Sequence, residues 1–151
     1  GTWDDGMLFC APFITHQDRL LIYYGGWDGP HNTTRRRSGI GLATLRKDGF
    51  VSLDAGAREG YVMTKVLKPF AGRLTVNAQT KSGTVYVEVL DAAGQALPNF
   101  RKSDAQPLMG DGIRQPVRWG KRTQLPSPPG GIRLRFWLRN AKLYSFQSDG
   151  T

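Results

Sequence analysis

The residue group with the most specific chemistry is a tryptophan flanked by arginines near the end of the chain. Trp137 lies between Arg135 and Arg139, and Arg133 continues the same alternation. In a strand these four side chains share one face, because neighbouring side chains point to opposite sides. A flat indole ring can stack on the C–H face of a pyranose, and guanidinium groups can bind carboxylate or sulfate oxygens. The pattern predicts a ligand-binding face, with docking on a neighbouring domain as the open alternative.

A second candidate site is the short segment WDGPHN, which combines aromatic, carboxylate, imidazole and amide groups. The side chains that can contact a ligand there are those of Trp27, Asp28, His31 and Asn32. Sugar sites use such groups, with tryptophan for stacking and the polar side chains for hydrogen bonds to hydroxyls. A turn stabilised by these polar side chains is an equally good interpretation of the segment.

The composition restricts the chemistry that remains. With two histidines and one cysteine, the chain can form neither a three-histidine metal site nor an internal disulfide. It contains no glycine-rich phosphate loop, no G-x-S-x-G elbow and no H-E-x-x-H motif. We therefore expect no cofactor and no metal site.

The formal net charge of +9 favours polyanionic partners, although it is also consistent with a solubility charge spread over the surface. Nucleic acid is not the expected partner, because no recognised nucleic-acid-binding pattern is present. No apolar run approaches the roughly 18 residues of a membrane span. A polysaccharide or oligosaccharide is the expected partner, and a membrane is not.

The elements that must position these residues are predicted to be β-strands. No stretch keeps a helical apolar period without Gly or Pro interrupting it, and 19 Gly and 9 Pro are typical of a turn-rich β protein. The first three strands predict an antiparallel meander with a hairpin turn near Gln17. The predicted strands are Met7 to Ile14, Arg19 to Gly25, Ser38 to Arg46, Phe50 to Asp54, Tyr61 to Leu67, Arg73 to Thr80, Thr84 to Leu90, Val117 to Trp119, Ile132 to Asn140 and Leu143 to Gln147.

Strict alternation in the later strands indicates sheets with one apolar and one polar face. In the strand that carries Trp137, the core face is predicted to consist of Ile132, Leu134, Phe136 and Leu138. Sheets of this kind favour a two-layer antiparallel β-sandwich.

Two glycine-containing strands and the turn after them carry a family resemblance. They are the run Leu21 to His31 (LIYYGGWDGPH), the run Gly39 to Ala43 (GIGLA) and the turn Arg46 to Phe50 (RKDGF). Together they resemble the last blade of five-bladed β-propeller glycoside hydrolases of the invertase, levanase and arabinanase-like group. The stretch Phe50 to Gly56 and the closing run Leu134 to Phe146 look like the β-sandwich that follows such a propeller.

The resemblance implies a β-meander similar to a terminal blade over residues 1–46 and a jelly-roll-like β-sandwich over residues 47–151. A propeller active site is assembled from several blades, so this chain would hold no complete set of catalytic residues. Asp4, Asp5 and His31 match positions that would face the central pocket of such a propeller.

These expectations predict a non-catalytic carbohydrate-binding module, extracellular or periplasmic and of bacterial type. The net charge extends the prediction to acidic or sulfated polysaccharide. Two alternatives stay open. One is a structural accessory domain that braces a catalytic propeller, and the other is a fragment that contributes Asp4, Asp5 or His31 to a hydrolase.

Overall fold

A computed structural model describes residues 1–150, without the side chain of Lys81, and divides the chain into two compact units. The first unit spans Gly1–Phe50 and the second begins at Val51, so the division lies beyond the boundary predicted after residue 46. Within the described residues every strand pair is antiparallel and there is no α-helix. The prediction of an all-β, antiparallel, sandwich-like fold is confirmed.

The first unit is one antiparallel sheet built around its third strand. Its strands are β1 (Met7–Cys10), β2 (Ile14–His16), β3 (Arg19–Trp27) and β4 (Ser38–Arg46). β4 pairs along the whole of β3, while β1 and β2 pair with the two ends of its other edge. The predicted meander is therefore confirmed. Its first strand is interrupted around Pro12, because proline has no N–H to donate to the ladder.

Glycines in this sheet make room for aromatic rings that lie on its surface. Gly26 and Gly39 face each other across β3 and β4, and a Cβ on Gly26 would lie 2.7 Å from the Trp3 ring. Gly41 likewise faces Tyr24, whose ring would collide with a Cβ at that position. The two rings stack with their centroids 5.9 Å apart. The close approach of these rings to the backbone explains why the YYGG and GIG runs are glycine-rich.

The second unit is a five-stranded curled sheet. Two long strands form its centre, and β5 and β6 pair with β9 while β8 pairs with β7. A single 3₁₀ turn, Lys102–Asp104, lies between β7 and β8. The strands are β5 (Leu53–Ala55), β6 (Gly60–Met63), β7 (Leu74–Asp91), β8 (Asp111–Pro116) and β9 (Ile132–Ser148).

The two long strands differ from the sequence prediction, which divided each of them in two. The pairing passes from Thr80 opposite Ala141 to Thr84 opposite Arg139, so the ladder bulges but does not end. Asn140 adopts a positive φ of 44° opposite the bulge. The predicted turn residues therefore bend the strands, because a bulge accommodates extra residues within a continuous pairing.

The region between β7 and β9 also departs from the prediction. β8 lies within residues 95–116, which had no predicted strand, whereas the strand predicted at Val117 to Trp119 is not formed. There, Val117 donates its N–H to the Leu74 carbonyl, and Trp119 forms isolated bridges with Ala105 and Arg122. These contacts fold the loop over the sheet and bring an indole into the core.

The core of this unit is continuous and strongly apolar. The predicted inward face of β9 is confirmed, since Leu134 is 0% exposed and Leu138 only 4%. Trp119 fills the centre and donates its indole N–H to the Val87 carbonyl at 2.7 Å, which satisfies its one polar atom. Because the same strands form both faces of the sheet, this core packing also fixes the positions of the side chains on their outer face.

Gly83→Ala is expected to lower the free energy of unfolding by more than about 2 kcal/mol. A Cβ at this position would collide with the Arg139 carbonyl oxygen and with Asn140 at the bulge. Urea denaturation followed by tryptophan fluorescence measures the effect. Gly56→Ala is the matched control, because its Cβ would meet nothing within 4 Å. Equal destabilisation by both substitutions would contradict the close approach at the bulge.

Candidate functional site

A row of three aromatic rings crosses the outer face of the second unit. Tyr61 on β6 and Tyr86 on β7 each pair with Trp137 on β9, so the three side chains lie side by side across three strands. The Tyr61 and Trp137 ring centroids are 4.9 Å apart. We call these three residues the aromatic row. It lies on the face opposite the buried Phe136, as the alternation of β9 predicted.

A buried carboxylate, that of Glu88, holds the residues that lie next to the aromatic row. Glu88 pairs with Arg135 across β7 and β9, and its Oε2 atom accepts from the Arg135 guanidinium at 3.1 Å. The indole N–H of Trp137 donates to the same oxygen at 3.3 Å. The guanidinium carbon of Arg135 lies 5.1 Å from the centroid of the Tyr61 ring. Glu88 is only 7% exposed, so this network fixes the rings from beneath.

A lysine from the 3₁₀ turn covers part of the aromatic row. Lys102 Nζ lies 4.7 Å from the centroid of Trp137 and 5.5 Å from that of Tyr86, and it forms an ion pair with Glu59. Trp137 is therefore half-buried, since this chain's own lysine and Tyr61 lie against it. Tyr61 is 60% exposed and presents the open ring of the row.

The 3₁₀ turn is held in place on both sides. The backbone N–H of Arg101 donates to Asp104 Oδ2 at 3.0 Å, which closes the turn. Just before it, Phe100 packs edge-to-face on Trp119 with the centroids 5.2 Å apart. Core packing therefore positions Lys102 above the rings.

The arginines predicted to bind acidic groups are differently engaged. Arg133 donates to the Ala92 and Thr64 carbonyls at 3.1 and 3.3 Å, and Arg135 is paired with Glu88. Arg139 is exposed on β9. Two of the arginines that were predicted to bind an anionic ligand therefore already donate hydrogen bonds to acceptors of the protein itself.

The predicted site in the first unit is a loop tied together by its own side chains. Asp28 accepts from the Arg37 backbone N–H at 2.7 Å and from its Nε at 2.9 Å. The Arg37 side chain and backbone hold the pKa of Asp28 below its ordinary value of 3.8. Arg36 also donates to the carbonyls of Pro30 and His31, at 3.3 and 3.2 Å. These contacts give Asp28 a structural role in closing the loop.

The other residues of this loop that were predicted to bind a ligand are Trp27, His31 and Asn32. Trp27 packs edge-to-face on Phe9 at 5.7 Å, and the Arg36 guanidinium lies 5.8 Å from its centroid. The side chains of His31 and Asn32 are exposed. The eight predicted ligand-binding residues thus fall into two separate groups, one in each unit.

The carboxylates at the start of the chain are likewise held by neighbours. Asp4 accepts from the Thr2 hydroxyl and from the Tyr24 hydroxyl, both at 2.8 Å, and these bonds lower the pKa of Asp4. A hollow of about 570 Å³ nearby is lined in part by Asp5 and Asp28. No group of three or more His, Cys, Asp or Glu side chains among the described residues is placed to hold a metal.

Sequence reasoning missed five side chains of this face: Tyr61, Tyr86, Glu59, Glu88 and Lys102. Tyr86 and Glu88 alternate with buried valines on β7, so their shared outer face was visible in the sequence. Glu59 and Tyr61 lie together at the start of β6 and Lys102 lies in a distant loop, so their meeting with Trp137 depends on strand register and on the fold of that loop. No local pattern could have indicated those contacts.

Neither a protein-family model, nor a curated protein, nor a solved structure matches the chain. In the described part of the chain, no helix has the length and apolar character needed to cross a membrane. The resemblance to propeller glycoside hydrolases accordingly stays a prediction.

Asp28→Asn is expected to lower the melting temperature of the first unit at pH 7. A carboxyl whose pKa is lowered by folding adds stability above its ordinary pKa of 3.8 and loses it as the pH falls through the lowered value. The difference from wild type should therefore shrink below about pH 4. Circular dichroism melts at several pH values measure this, with Asp5→Asn as the charge-matched control. A difference independent of pH would contradict the ionic role of Asp28.

Proposed function

We propose that this chain is a non-catalytic carbohydrate-binding module that binds glycans on its aromatic row. The observation that carries the proposal is the open ring of Tyr61, 60% exposed yet packed against Trp137 at 4.9 Å. Large exposed aromatic rings that are held rigidly are typical of binding surfaces. A pyranose can stack its C–H face on such a ring.

The network beneath the ring supports binding because it holds the ring in place before a ligand arrives. The guanidinium of Arg135 lies 5.1 Å from the Tyr61 centroid and is itself held by Glu88. A preorganised platform loses little conformational freedom on binding. The ammonium group of Lys102 lies against the row and can donate hydrogen bonds to sugar hydroxyls.

The carboxylates of this face support a binding role and not a hydrolytic one. Glu88 is in an ion pair with Arg135, and Glu59 is in an ion pair with Lys102. Most glycosidases use two carboxyl groups that flank the scissile bond and exchange protons or attack there. On this face the two carboxylates instead offset the charges of neighbouring cations, which fits a binding role better. A module for extracellular or periplasmic polysaccharide fits this proposal.

Tyr61→Ala is expected to weaken glycan binding by roughly 1–3 kcal/mol, by analogy with aromatic stacking on bases. A glycan array probed with the wild type, followed by calorimetry on the glycan that binds, measures the loss. Tyr23→Ala removes another exposed tyrosine, from the first unit, and should leave the affinity unchanged. Equal binding by the Tyr61 variant and the wild type would show that the row is not the site.

A second function, that of a structural accessory domain, is favoured by the first unit. Leu8 and Phe9 are neighbours in β1 and so point to opposite faces, yet they are 54% and 59% exposed. Ile40 on β4 is 84% exposed. Among the described apolar side chains of this unit Leu20 is the one that is buried. A sheet with both faces apolar is suited to packing between other sheets, as a blade does in the catalytic propeller that the sequence resembles.

If the first unit depends on a partner, its amides should exchange through lower-energy openings than those of the second unit. Native-state hydrogen exchange of the whole chain compares β3 with β9, each the central strand of its sheet. We expect protection in β3 to be at least about tenfold lower, because a sheet without covered faces opens more readily. Equal protection in the two strands would argue that the first unit is complete without a partner.

A further inference from the structure

We propose that Glu59 determines the charge selectivity of the aromatic row, by holding Lys102 and so restricting the face to uncharged glycans. This inference rests on the proposed binding function. It concerns which sugars the face accepts and runs against the expectation from net charge. The chain carries +9, which alone favours acidic or sulfated polysaccharide.

The charges that contact the aromatic row are balanced. Two cations lie over its rings, Lys102 and Arg135, and each is paired with a carboxylate, Glu59 and Glu88 respectively. Arg139, further along β9, is exposed. The paired carboxylates offset the charge of both cations, so a uronate or a sulfate gains little net attraction from either. An anionic ligand near Lys102 would also come close to the Glu59 carboxylate, and that like-charge contact opposes its binding.

The geometry places Lys102 against the ring that adjoins Tyr61. Its Nζ atom lies 4.7 Å from the centroid of Trp137, and the Tyr61 centroid lies 4.9 Å from the same point. A glycan that extends from Tyr61 over Trp137 therefore comes towards this ammonium group. How strongly the Lys102 ammonium attracts a ligand carboxylate there depends on whether Glu59 already offsets its charge.

The two ion pairs differ in how open they are to change. The side chains of Lys102 and Glu59 are 35% and 34% exposed, so the pair can be altered without opening the core. The Glu88 side chain is 9% exposed, and removing it would leave the partly buried Arg135 guanidinium without its partner. Selectivity can therefore be tested at Glu59 with the fold kept intact.

The experiment compares wild type with Glu59→Gln on matched ligands. The probes are gluco-, galacto- and manno-hexaoses, each as the neutral oligosaccharide and as its C6-oxidised uronate, measured by calorimetry at low and physiological salt. Asp54→Asn is the control, because it also removes one negative charge and frees a lysine, Lys142, outside the aromatic row. The double variant Glu59→Gln/Lys102→Gln tests whether the lysine is responsible.

We expect wild type to bind a neutral hexaose and to discriminate against its uronate. Glu59→Gln should tighten uronate binding by about three- to fivefold at low salt, and less at physiological salt, while neutral binding changes little. Asp54→Asn should produce no such gain, and the double variant should lose it.

Two results would overturn the inference while leaving the proposed function in place. In the first, wild type binds the neutral hexaose but Glu59→Gln gains no uronate binding. In the second, Asp54→Asn gains as much uronate binding as Glu59→Gln, which would indicate an effect of bulk charge alone. Preference of wild type for the uronates would overturn it as well. Failure of wild type to bind any of the hexaoses would overturn the proposed function together with this inference.

Discussion

The antiparallel pairing of β7 with β9 is the interaction on which the second unit depends. It runs from Leu74 opposite Ser148 to Asp91 opposite Ile132, with bulges where the register shifts. Because the pairing continues through the bulges, both halves of each strand place alternate side chains in one core. The same register brings side chains from three strands together on the outer face. A turn at either bulge would have separated the core residues that now pack together.

Around the aromatic row, polar chemistry on the outer face is organised by ion pairs. Glu88 binds both Arg135 and the indole of Trp137, so one carboxylate orients a cation and a ring. Lys102 reaches the same ring from a loop anchored in the core by Phe100. The large positive charge of the chain is thus a poor guide to this face, because local pairing decides what a ligand meets.

The two units bury apolar surface very differently. The second encloses Trp119 and Phe136 at 1% exposure each, whereas the first presents apolar side chains on both faces of one sheet. A single sheet gains little from burial of its own side chains, so its stability depends largely on backbone pairing and on rings such as Trp3 that lie on glycines. This contrast is the physical reason to consider the first unit as an element that packs on other sheets.

The sequence alone was sufficient to predict the all-β class, the meander and the inward face of β9, because these follow from local alternation and turn residues. The outer position of Trp137 was predictable for the same reason. Sequence could not show that Gly83 and Asn140 bend strands instead of ending them, since a bulge and a turn use the same residues. Nor could it show that Lys102 covers Trp137. That contact joins segments far apart in the chain, so only packing and register decide it.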